Sequence, residues 1–108
     1  ANISYTIRMK KVEKEFTRCN FNHKQIIRKG NVAIYERQLN GTDRIHYEVV
    51  KIGKHNGYYA GTQFIEAAET YPGNSLWGLQ GWTCSDLNSA KVRFKQACKR
   101  FNKTLAHA

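Results

Sequence analysis

The chain predicts an α+β fold, a mostly antiparallel β-sheet of four to six strands with one long C-terminal helix packed on one face. Three observations carry the expectation. Residues 31–52 hold two runs of alternating side chains joined at Asn40-Gly41, which reads as a β-hairpin. Residues 86–105 place apolar side chains at helical spacing. A single proline and thirteen aromatics (2 Trp, 6 Tyr and 5 Phe) mark a chain that folds. Its 108 residues suit one domain, spanning 1–108, with one modest core.

The elements follow in order. Residues 3–9 alternate strictly, Ile3, Tyr5, Ile7 and Met9 against Ser4, Thr6 and Arg8, the period of a half-buried strand. Residues 10–23 fit two readings. Val12, Phe16 and Cys19 suit a helical face, whereas Phe16, Arg18 and Asn20 suit a strand; a loop or strand is the expectation. Residues 31–38 read as a strand, and residues 44–52 as its return, with Ile45, Tyr47 and Val49 on one face. His46, Glu48, Val50 and Ile52 share the other. Residues 53–57 (GKHNG) read as a second turn and 58–64 as a further strand. Residues 65–70 suit a short helical turn, and 71–75 a loop. Residues 76–84 read as extended, with Gly78 and Gly81 permitting a turn or bulge. The final helix is expected to take Ser85 as N-cap and Asp86 in its first turn. Leu87, Ala90, Phe94, Ala97, Cys98, Phe101 and Leu105 fall within an arc of about 100°.

Charge is the strongest functional signal. The net charge is +10, split as +7 over residues 1–54, −3 over 55–90 and +6 over 91–108. Lys91, Arg93, Lys95, Lys99, Arg100 and Lys103 all lie outside the apolar arc, with no acid after Asp86 to pair with them. Such a face attracts phosphates and releases counterions, although a basic helix face is often only solvated surface. Arg8, Lys10 and Lys11, with Lys14, Arg18, Lys24, Arg28 and Lys29, add a second basic group. The two groups are expected to converge on a common exterior patch. Tyr58, Tyr59, Trp77 and Trp82, with Tyr71, lie in the middle block and can offer rings for base stacking. A core of this size needs large side chains too, and the same rings can serve there.

Other chemistry is weakly represented. Cys19, Cys84 and Cys98 are odd in number and irregularly spaced, unlike a disulfide framework. Cys19 and His23 form one loose pair where structural zinc needs two close pairs. Glu48, Glu66, Glu69 and His46 are too dispersed for a metal-dependent nuclease. GKHNG lacks the spacing of a phosphate-cradling loop. No catalytic residue, metal or cofactor is expected. No stretch approaches the roughly 20 apolar residues of a membrane span, and residues 1–11 lack the apolar centre of a secretion signal. Cytoplasm or nucleus is the expected location, the host cytoplasm for a viral chain.

The expectation is therefore a non-enzymatic nucleic-acid-binding protein, DNA and RNA not being distinguished. The alternative is a protein-interaction module, such as a small viral inhibitor seated on an acidic or nucleic-acid-binding surface of a host protein.

From Trp77-Gly78-Leu79-Gln80-Gly81 onward the C-terminal half resembles a WGR domain, a β-sheet module with a packing helix associated with nucleic-acid binding. Ala90, Phe94 and Phe101 stand at the helix positions of that pattern, before Lys103. The likeness covers about residues 44–105, and Leu79 stands where the family has its arginine. The layout of Tyr71-Pro72, Trp77-Gly78 and Gly81-Trp82-Thr83 ahead of a helix also looks like small uncharacterised proteins of tailed phages, which implies an origin and not an activity.

Overall fold

A computed structural model describes residues 9–102. The strand expected at residues 3–9 therefore falls outside the described residues except for Met9, as do Arg8, Lys103 and Leu105. The described strands are β1 (Glu15–Arg18), β2 (Phe21–Lys29), β3 (Val32–Leu39), β4 (Ile45–Lys51), β5 (Gly53–His55), β6 (Tyr58–Ala60), β7 (Gln63–Ile65), β8 (Ala68–Thr70) and β9 (Gly81–Cys84). A 3-10 turn at Asn74–Leu76 precedes β9, and the helix α1 (Leu87–Phe101) ends the described chain. The architecture is α+β. Five strands in the order β1-β2-β3-β4-β9 form an antiparallel sheet, and α1 packs against β3, β4 and β9.

The alternation in β3 and β4 gives the sheet two buried faces. Val32, Ile34 and Val49 meet Ala90 and Ala97 of the helix, with Tyr47, Trp82, Phe94 and Phe101 packed around them. Ala33, Tyr35, Val50 and Ile52 form the opposite core, covered by Val12, Phe16, Tyr71 and Trp77. The ambiguous residues 10–23 thus supply an extended segment, β1 and the start of β2. Removing a large apolar side chain from water contributes roughly 1.5–3 kcal/mol, so both faces stabilise the sheet.

Turn chemistry sets the connections. Cys19 and Asn20 both take positive φ (52 and 66), the backbone of a type I′ hairpin between β1 and β2. At Asn40-Gly41 the expected hairpin forms, but only Gly41 is left-handed (φ 78). The Thr42 N–H donates to Leu39 O at 3.1 Å, so this is a type II turn in a longer connection. Ile26 interrupts the β2–β3 register as a bulge.

Three expectations are corrected between residues 53 and 70. Residues 53–57 do not reverse the chain. The pairs Gly53↔Thr70, His55↔Ala68, Tyr58↔Ile65 and Ala60↔Gln63 keep one constant register. β5–β6 and β7–β8 are therefore the two sides of one hairpin arm, interrupted opposite Asn56-Gly57. The reversal falls at Gly61-Thr62, where Gly61 has φ 63, inside the segment expected to be a single strand. Residues 65–70 contain the end of β7 and β8, not a helical turn. Their backbone groups are claimed by the arm and by the Lys10 bridge, and tertiary pairing outweighs the mild helix propensity of Glu66-Ala67-Ala68-Glu69. Residues 76–84 are extended at Trp77 and over β9; between them the chain turns at Gly78 (φ 88), with the Leu79 and Gln80 N–H groups both donating to Leu76 O.

The helix start moves by one residue. Asp86, not Ser85, is the N-cap: its backbone is extended (φ −139, ψ 162) and its carboxylate accepts from the Ser89 N–H at 2.7 Å. That bond holds the Asp86 carboxyl below its usual range.

Candidate nucleic-acid interface

The helix turns its cations outward because its apolar stripe is consumed by the sheet. Lys91, Arg93, Lys95, Lys99 and Arg100 are all exposed. Three ion pairs occur among the described residues, His23–Glu48, Arg28–Glu69 and Arg37–Glu48, and none uses a helix cation. Two of the helix cations are steered by rings. The Arg93 guanidinium stands 5.0 Å from the Trp82 ring centre, and that of Arg100 stands 5.2 Å from Phe101. Lys51 Nζ approaches the same Phe101 ring at 6.0 Å. The Asn102 side chain donates to Lys29 O at 2.9 Å, placing the end of β2 beside the end of the helix. Lys29 and Lys51 thereby join Lys99 and Arg100 in one basic cluster. Lys99 and Arg100 also complement the partial negative charge of the helix C-terminus.

Of the second basic group Lys29 joins this face, whereas Lys10 and Lys11 do not. Lys10 pairs by its backbone with Ala67 and Glu69, and Val12 packs on the core opposite the helix. Lys10 and Lys11 thus lie on the far side of the sheet. The expected common patch is corrected for Lys10 and Lys11, which sit on a separate surface because the segment ahead of β1 is needed to cover the second apolar face. Arg28 is withdrawn altogether. Its guanidinium makes two bonds to Glu69, at 2.7 and 2.6 Å, tying β2 to β8. Those bonds hold the Glu69 carboxyl below its usual range, with burial opposing and the Val12 N–H assisting.

The aromatic candidates also divide. Tyr58 and Tyr59 stand out on the hairpin arm, 53% and 72% exposed, with Phe64 beside Tyr59 at 51%. Trp77 is structural: its ring lies against Gly81, where an added Cβ would come within 2.5 Å, and its N–H donates to Thr83 at 3.0 Å. Trp82 packs into the helix core beneath Arg93. Tyr71 turns inward.

Tyr71 belongs to a cluster that the sequence reading did not assemble. Glu48 is only 6% exposed, as is His23. Glu48 Oε1 accepts from the Tyr71 hydroxyl at 2.7 Å and faces His23 Nε2 at 3.3 Å. Arg37 Nε stands 3.8 Å from Oε2, beyond hydrogen-bond reach. The Phe16 ring stacks on His23 at 4.5 Å, and Tyr71 meets Phe16, His23 and Tyr35 edge-on. Burial alone would raise the Glu48 carboxyl, but the bonds from His23 and Tyr71 and the nearby charges together hold it low. Burial, then the Glu48 charge, pushes the Tyr71 hydroxyl far up, so it remains a donor. The signal was present in β4: Glu48 shares a face with Val50 and Ile52, a charge at the period of a buried stripe.

Other candidates stay apart. Glu66 is exposed on the arm while Glu48 and Glu69 have separate partners. Among the described residues no three of His, Cys, Asp and Glu come together to hold a metal. Burial pushes the Cys84 and Cys98 thiols up, the opposite of an activated nucleophile. Among the described residues no helix is long and apolar enough to cross a membrane. Compared with known proteins, the chain matches no family model, no curated protein and no solved structure.

Proposed function

We propose that this chain is a non-enzymatic nucleic-acid-binding protein whose phosphate contacts come from the exposed face of α1. One observation carries the reading. Lys91, Arg93, Lys95, Lys99 and Arg100 have no carboxylate partner among the described residues, and Lys29 and Lys51 extend their field at the helix C-terminus. A net charge of +10 gives the field its sign. Phosphate contacts position a protein without specifying sequence, so sequence preference from this face is weak. The resemblance of about residues 44–105 to the WGR pattern points the same way in fold, while Leu79, in place of that family's arginine, leaves the phosphate contacts to the helix cations.

Fluorescence anisotropy with labelled single- and double-stranded DNA and RNA, at 50 and 200 mM salt, tests it. A protein contacting about five phosphates loses on the order of 10²–10³ in affinity across that interval. Affinity that hardly changes with salt overturns the reading.

The hairpin arm supports a second reading, a protein-interaction module. Tyr58, Tyr59 and Phe64 make an exposed apolar tip, and aromatic anchors of this kind dominate protein interfaces. A stoichiometric partner recovered from nuclease-treated lysate, and lost with Tyr59→Ala, favours that reading over polyanion binding.

A further inference from the structure

The Glu48 cluster forms the floor of a cavity of about 280 Å³ on the sheet face opposite the helix, lined by Arg18, His23, Arg37, Glu48, Tyr71 and Trp77 among others. This lies just below the usual span of ligand cavities, about 300–1,000 Å³, and suits one small ring. The lining is polar and preassembled. His23 and Tyr71 both engage Glu48 Oε1, and no donor among the described residues reaches Oε2 within hydrogen-bond distance. Oε2 is not sealed away without a partner; it borders the solvent of the cavity, where a ligand N–H can reach it. The two arginines exclude a simple ammonium ligand, since its charge would meet theirs. They favour a neutral N–H donor that carries an anion elsewhere. Tyr71 and Trp77 supply ring walls.

We propose that this cavity receives a single unstacked nucleobase bearing an exocyclic amino group, cytosine being the smallest, with its amino group on Glu48 Oε2 and its phosphate toward Arg18. Carboxylates accept from the cytosine N4 amino group by ordinary base-edge geometry. Uracil differs by presenting a carbonyl oxygen there, which the carboxylate repels. The proposal rests on the nucleic-acid reading for the source of the base and adds selectivity that the helix face lacks.

The test is an amide chemical-shift titration of the full chain with CMP and, separately, UMP. CMP is expected to shift Arg18, Glu48 and Tyr71 and to bind at least about tenfold tighter than UMP, in line with one good base-edge contact. Glu48→Gln is expected to erase that ratio, and Arg18→Ala to weaken both nucleotides while keeping it. Equal binding of CMP and UMP by the unaltered chain, or shifts centred elsewhere, overturns the proposal without recourse to any variant. Salt-dependent oligonucleotide binding combined with equal CMP and UMP affinities refutes the cavity alone. Selective CMP binding without oligonucleotide binding refutes the helix-face reading alone.

Discussion

Replacing Tyr71 by Phe isolates one hydrogen bond in the buried cluster. The Tyr71 hydroxyl donates to Glu48 Oε1 at 2.7 Å. The ring itself is held by Phe16 and Tyr35, at 5.3 and 5.1 Å between centres, and those contacts survive the change. The variant therefore loses a bond to a buried charge and little packing. Such a bond contributes about 1.5–3 kcal/mol, each kcal/mol lowering Tm by roughly 4–8 °C in a domain near this size. The effect depends on pH with a definite sign. Glu48 is held low in the folded chain, so its stabilisation is present above the unfolded value near about 4.3 and is lost as pH falls through the folded value. Tyr71→Phe weakens that hold, so the variant surrenders the contribution at a higher pH. Urea denaturation at pH 7, 5 and 3.5 measures both effects. The gap between the two proteins should be full at pH 7 and 5 and should narrow below about 4. A variant within about 0.5 kcal/mol of the original at pH 7 refutes the account of the cluster. So does a gap that stays the same at every pH.

Two further outcomes follow from named contacts. Arg28→Ala breaks the two bonds to Glu69, a pair between exposed and buried in setting, and should cost about 1–3 kcal/mol by urea denaturation at pH 7. Because Glu69 is held low, that difference should fade as pH drops below about 4.3. Gly81→Ala places a Cβ within 2.5 Å of the Trp77 ring, and should cost about 1–3 kcal/mol and alter the near-ultraviolet circular dichroism of the tryptophans.

Legibility in the sequence tracked how strictly a segment obeys one period. β3, β4 and α1 each pack a regular stripe, and their side chains fall on the faces expected from alternation or helical spacing. β2 was obscured because Ile26 bulges out of register and leaves Ile26 and Ile27 exposed. The arm was misread because Asn56-Gly57 carries turn chemistry at an interruption, while the true reversal uses the less conspicuous Gly61-Thr62. The helix cations were legible because one element supplies them all. The cavity was not: β1, β2, β3, β4 and the loop before β9 each contribute to it, and only the completed sheet brings them together. Lys10 and Lys11 show the complementary error, since adjacency in charge along a chain says nothing about which sheet face a segment covers.

The slope of log affinity against log salt tests the phosphate-binding role of the helix face most directly, measured on the same duplex for the original chain, Lys95→Gln/Lys99→Gln and Lys10→Gln/Lys11→Gln. The helix pair should reduce the magnitude of the slope by about 1.8, at roughly 0.9 per lost phosphate contact, and the Lys10/Lys11 pair should leave it nearly unchanged. Equal reductions from both pairs, or none from the helix pair, would contradict the account.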